Sequence, residues 1–200
     1  MLLSPLLQKK EVFETFPVFS PDGRKLYFCT AEAKPIPAEY KEIRYSLCSI
    51  DFNPEDGTFG EKIDTLVNAA AMKKSISFPR PSYDGEYIMF TLSDYGNFSI
   101  WHKEADLWLL DLKDGGMRPI KEVNSDDTES FHNWSSNSRW FVFSSRRGDG
   151  LYTVCIWQVW MRMGWWASLS CFLRKILGSI TTVWSTRTMF PIYKRTGEAG

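Results

Sequence analysis

Few residues in this 200-residue chain are of types that carry chemistry, and their spacing restricts what they could do. The four cysteines, Cys29, Cys48, Cys155 and Cys171, form no Cys-x-x-Cys pair and stand at no metal-like spacing from the two histidines, His102 and His132. That pattern argues against zinc, c-type haem and dithiol redox sites, and buried thiols are expected instead. No G-x-S-x-G, P-loop, H-E-x-x-H or dinucleotide fingerprint occurs, so no catalytic residue, metal ligand or cofactor is assigned.

Three clusters remain. "NSDDTESFH" gathers Asp126, Asp127, Glu129 and His132, a cluster that could hold a hard cation through its carboxylate oxygens. Their spacing matches no calcium loop, and a solvated acidic turn is expected. "FSIWHKEAD" offers Trp101, His102 and Lys103, and "SSRRGDG" offers Arg146 and Arg147. Aromatic and basic side chains on loops of a rigid scaffold are candidates for contact with a partner. The Arg147-Gly148-Asp149 tripeptide reads as turn chemistry rather than as an adhesion motif.

The elements that position these residues follow from an internal repeat. "TFPVFSPDGRKLYFCT", "SFPRPSYDGEYIMFTL" and "SFHNWSSNSRWFVFSS" align Phe16, Phe78 and Phe131, then Ser20, Ser82 and Ser135, then Phe28, Phe90 and Phe143. In the first copy Pro21 presets φ, Asp22 can accept from the backbone ahead, and Gly23 supplies positive φ, which together predict a tight hairpin. The third copy has Asn137 and Ser138 at the turn and no glycine. After each turn an apolar run predicts a strand covered on both faces. A third run follows at "YSLCSIDF" and "DLWLLDL", and a more polar fourth at "EKIDTLVN" and "MRPIKEVN". Four antiparallel strands per repeat describe one propeller blade.

"FPVFSPDGRKLYFCT" resembles the Pro-Asp repeat of TolB-like β-propellers, which are similar in architecture to WD-repeat propellers. The stretches "DTLVNAAAMKKSISFPRPSYDG", "IWHKEADLWLLDL" and "FVFSSRRGDGLYT" resemble a Bacteroidetes group of such proteins. The resemblance covers about residues 11–153. It implies an all-β, antiparallel propeller, incomplete at two and a half to three blades, and a noncatalytic scaffold module of a bacterial envelope or periplasmic protein. Some relatives carry an upstream Cys-x-x-Cys-His segment that this chain lacks, so haem does not transfer to it.

The expected organisation is a lead-in at 1–11, blades near 12–68, 76–124 and 129–153, and an atypical tail at 154–200. Formal charge is zero overall, which gives no global field for nucleic acid. Residues 1–153 hold 18 basic and 23 acidic residues, whereas 154–200 hold six basic residues and only Glu198. Five of the nine tryptophans also lie in the tail. Trp and Met have single codons, and a reading frame one base earlier turns the Trp160–Ala167 region into a strand and an Asp/Gly turn. The tail is therefore expected to be frameshifted and loosely placed. Arg174 and Lys175 in mid-run argue against a membrane-spanning helix there. The opening segment, with no basic start and no A-x-A-like site, does not read as a secretory signal.

Fewer than four blades do not close a ring, so further blades or a neighbouring subunit are expected to complete it. The partner class expected is protein or peptide, at Trp101, His102, Lys103, Arg146 and Arg147. The alternatives are the propeller portion of a prolyl-oligopeptidase-type hydrolase, which needs a Ser-His-Asp domain, and of a c-type haem-associated protein.

Overall fold

The structure is a computed structural model that describes residues 11–160 and the backbone of strands 168–174 and 180–183. Three antiparallel sheets follow one another along the chain. The first has the order β1 (Val12–Phe19), β2 (Lys25–Glu32), β3 (Ser46–Asn53), β4 (Thr58–Val67). The second has the order β5 (Ser75–Pro81), β6 (Tyr87–Ser93), β7 (Asp106–Asp111), β8 (Met117–Pro119). The third runs from β9 (Glu129–Trp134) through β10 (Trp140–Ser145) and β11 (Val154–Val159) to β12 (Ser168–Arg174) and β13 (Ile180–Val183). Among the described residues the only helical turns are the short 3-10 segments Tyr40–Glu42 and Ser99–Trp101. No helix there is long and apolar enough to cross a membrane.

The hairpin punctuation read from the sequence becomes one hydrogen-bond cassette used three times. Ser20 Oγ donates to Asp22 Oδ1 at 2.5 Å and accepts from Lys25 N–H at 2.9 Å. Ser82 Oγ bonds Asp84 Oδ1 at 2.6 Å and Tyr87 N–H at 3.0 Å. Ser135 Oγ bonds Asn137 Oδ1 at 2.7 Å and Trp140 N–H at 3.0 Å. Gly23 and Gly85 take φ of +69° and +72°, and Ser138 adopts +54° in the same place. A non-glycine residue bears a cost of about 1–2 kcal/mol there. Part of it is offset because Ser138 Oγ also accepts from Asp84 N–H at 3.0 Å, which ties the third sheet to the second.

The aligned phenylalanines mark a second repeated device. Phe16, Phe78 and Phe131 all have positive φ, of 54°, 53° and 46°, and each sits where strand pairing slips. Such a slip is a β-bulge, which re-aims the side chain. The Phe16 and Phe78 rings are 4.7 Å apart and those of Phe78 and Phe131 are 4.8 Å apart, so the first strands of successive blades stack through these rings.

Two apolar cores lie between the blades. Tyr27, Cys29 and Leu47 of the first sheet meet Ile76, Ile88, Phe90 and Leu92 of the second. Met89, Leu107 and Leu109 on the opposite face of the second sheet meet Trp134, Phe141, Phe143, Val154 and Ile156 of the third. Each blade is thus covered by its neighbour, as blades require.

Two expectations need adjustment. The fourth strand of the second blade, read as reaching Asn124, ends at Pro119. Ile120 and Val123 turn inward and are each 1% exposed, and Asn124 replaces the ladder by bonding both Leu107 N–H and Leu107 C=O. The break in blade pattern expected after Thr153 falls partly on described residues, where Val154–Val159 pairs with β10 in regular register. The expected loose placement of the rest of the tail lies largely outside the described residues.

Candidate rim site between the second and third blades

The connection between β6 and β7, residues 94–105, is held from several sides. Gly96 N–H donates to Ile43 C=O of the first blade at 2.8 Å, and a Cβ at Gly96 would lie 2.4 Å from the Tyr45 ring. Ser99, 3% exposed, has its hydroxyl 3.0 Å from that of Ser77 on β5. His102 is buried, its ring 4.0 Å from that of Tyr95. Its Nδ1 lies 3.3 Å from Glu104 Oε1 without hydrogen-bond geometry. These anchors leave Phe98 at 73% and Trp101 at 63% exposed, with Lys103 also exposed.

The shorter connection between β10 and β11 meets it. Asp149 Oδ1 accepts from Leu151 and Tyr152 N–H, each at 2.9 Å, which is the turn role expected of the Arg-Gly-Asp stretch. Arg146 bonds Gly150 C=O through its guanidinium, whose carbon lies 4.5 Å from the centre of the Trp101 ring. This cation–π pair joins loops from two blades. Beneath it is a cavity of about 70 Å³, lined by Trp101, Thr128, Ser130, Phe131, Arg146 and Leu151 among others.

Arg147 points elsewhere. Its guanidinium bonds Glu129 Oε1 at 3.1 Å, Ser145 Oγ at 2.8 Å and Val123 C=O. Glu129 is wholly buried and also accepts from Ser125 Oγ at 2.6 Å and Ser145 Oγ at 2.8 Å. Burial holds its carboxyl above the usual range, opposed by these serines and by Arg147. Asp106 is pushed up to about 6, first by burial and then by the Glu129 charge.

The acidic segment is therefore no solvated turn. Asp126 is exposed, but Glu129 and His132 are interior. His132 Nε2–H donates to Met89 C=O at 3.0 Å, and burial lowers its pKa to about 4, which keeps the ring neutral. Among the described residues no group of three or more His, Cys, Asp and Glu could hold a metal ion.

Of the five residues singled out by sequence, Trp101 and Arg146 are brought together, Lys103 stands exposed on the same connection, His102 is packed inside, and Arg147 is engaged with Glu129. Sequence reasoning missed Phe98, Phe131, Leu151 and Tyr152, large apolar side chains exposed on or next to the same rim. "LYT" directly after "RRGDG" was the available signal, because a Leu-Tyr pair placed in a turn has little core to enter.

No family model matches the chain, and no curated protein matches it. Solved structures do. A TolB from Agrobacterium tumefaciens is similar with a TM-score of 0.50 and 18% identity, over 87% of this chain and 50% of that one. The β-propeller domain of the Trilobed protease from Pyrococcus furiosus gives 0.45 and 12%, over 88% and 53%. A prolyl endopeptidase gives 0.45 and 11%, over 78% and 21%. This chain spans half the length of the TolB structure. Three antiparallel sheets packed in series, together with that likeness, show the fold to be a TolB-like β-propeller of which the described residues form three blades.

Proposed function

We propose that the chain is a noncatalytic recognition module that binds a protein or peptide segment at the rim shared by the second and third blades. The observation that carries the reading is the Trp101–Arg146 pair, with Trp101 63% exposed and the guanidinium carbon 4.5 Å from its ring centre. Tryptophan and arginine are the residue types most often dominant in protein recognition. Four further apolar side chains, Phe98, Phe131, Leu151 and Tyr152, extend the surface around the pair, and clustered exposure of that kind marks interaction sites.

Size favours a macromolecular partner over a free small molecule. A cavity of about 70 Å³ admits one side chain or a few waters, whereas small-molecule sites typically enclose about 300–1,000 Å³. The anchoring of the loop at Gly96, Ser99 and His102 fixes Trp101 before binding, which lowers the ordering cost on association. The bacterial envelope setting implied by the sequence resemblance belongs to the same proposal.

The test is selection of displayed peptides on the wild-type rim, with W101A and R146Q as counter-targets. Arg147 and His102 are left intact because both are packed into the structure. Loss of about 30-fold in affinity on W101A, with unchanged circular dichroism, is the expected result for a dominant contact. Peptides that bind wild type and both variants equally would refute rim recognition.

A further inference from the structure

The cavity under the Trp101–Arg146 pair differs in character from the surface around it. Trp101 and Leu151 give it an exposed apolar margin, whereas Thr128, Ser130, Ser144 and Arg146 bring three hydroxyls and a cation to its lining. Thr128 is 2% exposed, and among the described residues its hydroxyl has no hydrogen-bond partner. Buried hydroxyls are ordinarily bonded, so one left open beside a cavity marks a place for a polar atom from outside the domain. Among the described residues the Arg146 guanidinium donates only to Gly150 C=O, with its face on Trp101, which leaves further N–H groups of the fork to bond a ligand. No acidic residue lines the space. The carboxylates nearby have donors of their own. Asp127 Oδ1 accepts from Thr128 N–H at 2.8 Å, and Glu129 is bonded by Ser125, Ser145 and Arg147. The N–H groups of Tyr152 and Leu151, more than the Arg146 charge, hold the Asp149 carboxyl below its usual range.

We propose that this cavity receives the carboxylate of an aspartate or glutamate side chain from the bound segment, with Arg146 donating a charge-assisted hydrogen bond and the Thr128 hydroxyl a second. The assignment rests on recognition at this rim and adds which residue of the partner is read there. Charge and hydrogen bonding select the occupant. A lysine or arginine would meet Arg146 at like charge. An apolar side chain would strip water from the guanidinium and leave the Thr128 hydroxyl unpaired. A carboxylate is acceptor-only and matches a set of donors. A volume of about 70 Å³ takes one short side chain. A side chain within a segment fits better than a chain end, because exposed apolar residues stand on both connections. Phe98 lies on one, Leu151 and Tyr152 on the other, and together they cover the residues before and after the acid.

The experiment is panning of a random peptide library, fused at its C-terminus to the display protein, against the full 200-residue chain. Clones retained on wild type and lost on W101A should share an Asp or Glu at one position, with apolar neighbours. A retained peptide is then made with amidated C-terminus, beside a counterpart in which asparagine or glutamine replaces the acid, and both are titrated by fluorescence anisotropy. The amide counterpart should bind wild type about tenfold or more weakly, and R146Q should reduce that difference to about twofold. T128V, which keeps the shape of the side chain and removes the hydroxyl, should weaken the acidic peptide by about threefold or more. The first comparison alters the peptide alone, so it stands whether or not a variant folds. Clones that need Trp101 but share no acidic position, an amide counterpart bound as tightly as the acid, or binding that requires a free C-terminal carboxylate instead, each overturn the assignment while leaving rim recognition in place. A library with no clone dependent on Trp101 overturns both.

Discussion

Removal of the Phe78 ring tests whether the blades are held together through their first strands. Phe78 lies between Phe16 and Phe131 at 4.7 and 4.8 Å, is half-buried, and has φ of +53°. Truncation of a fully buried phenylalanine costs about 3–5 kcal/mol, and half burial brings that to roughly 2. Each aromatic pair adds about 0.5–1.5 kcal/mol beyond area burial, and Phe78 loses two of them. F78A should therefore cost about 3–5 kcal/mol. F131A, at a ring 52% exposed with one such neighbour, should cost less, about 2–3 kcal/mol. F78G should be about 0.5–1 kcal/mol less damaging than F78A, because relief of the left-handed backbone outweighs the chain entropy of glycine. Urea unfolding followed by circular dichroism gives these values. A double-mutant cycle should show about 0.5–1.5 kcal/mol of coupling for Phe16 with Phe78 and almost none for Phe16 with Phe131. F78A no worse than F131A, or F78G worse than F78A, would refute stacking at left-handed bulges as the link between blades.

Further outcomes follow from the buried charges. R147A leaves the wholly buried Glu129 carboxylate without its cation and should cost about 3–5 kcal/mol in urea unfolding at neutral pH; adding E129Q should recover much of that loss. Asp106 holds its proton to about pH 6 in the folded chain. The folded state then binds more protons than the unfolded one between about pH 4 and 6, so this group's contribution to stability falls as pH rises through that window. D106N should be stabilising at pH 7 by about 1–2 kcal/mol, a figure reduced for the partial solvent exposure of the site, and neutral below pH 4. A difference between wild type and D106N that does not vary with pH would count against that assignment.

Much of the fold was legible because turn chemistry is local. Ser-x-Asp-Gly in "SPDG" and Ser-x-Asn in "SSNS" encode their own hydrogen bonds within five residues, and the apolar runs after them have only one way to be covered. The alignment of Phe16, Phe78 and Phe131 was equally visible, but their left-handed backbone was not. Phenylalanine has no intrinsic preference for that region, and only stacking between blades fixes it. The same limit applied to the site. Trp101 and Arg146 are 45 positions apart and meet through tertiary packing. His102 and Arg147, which look identical in kind to their neighbours, are taken inward by Tyr95 and Glu129. The burial of Glu129 was hidden because Ser145 and Arg147 reach it from the end of β10 and the turn after it, far along the chain from the local partner Ser125. The early end of β8 was hidden as well, because Asn124 substitutes for strand pairing from beyond the turn.

The most direct measurement is the indole N–H resonance of Trp101 in isotope-labelled chain, followed as a peptide selected on the intact rim is added. Recognition at the rim predicts a saturable shift of that resonance, matching the affinity of the peptide and lost in R146Q. A peptide that binds while leaving the Trp101 indole unmoved, and shifts residues elsewhere instead, would contradict it.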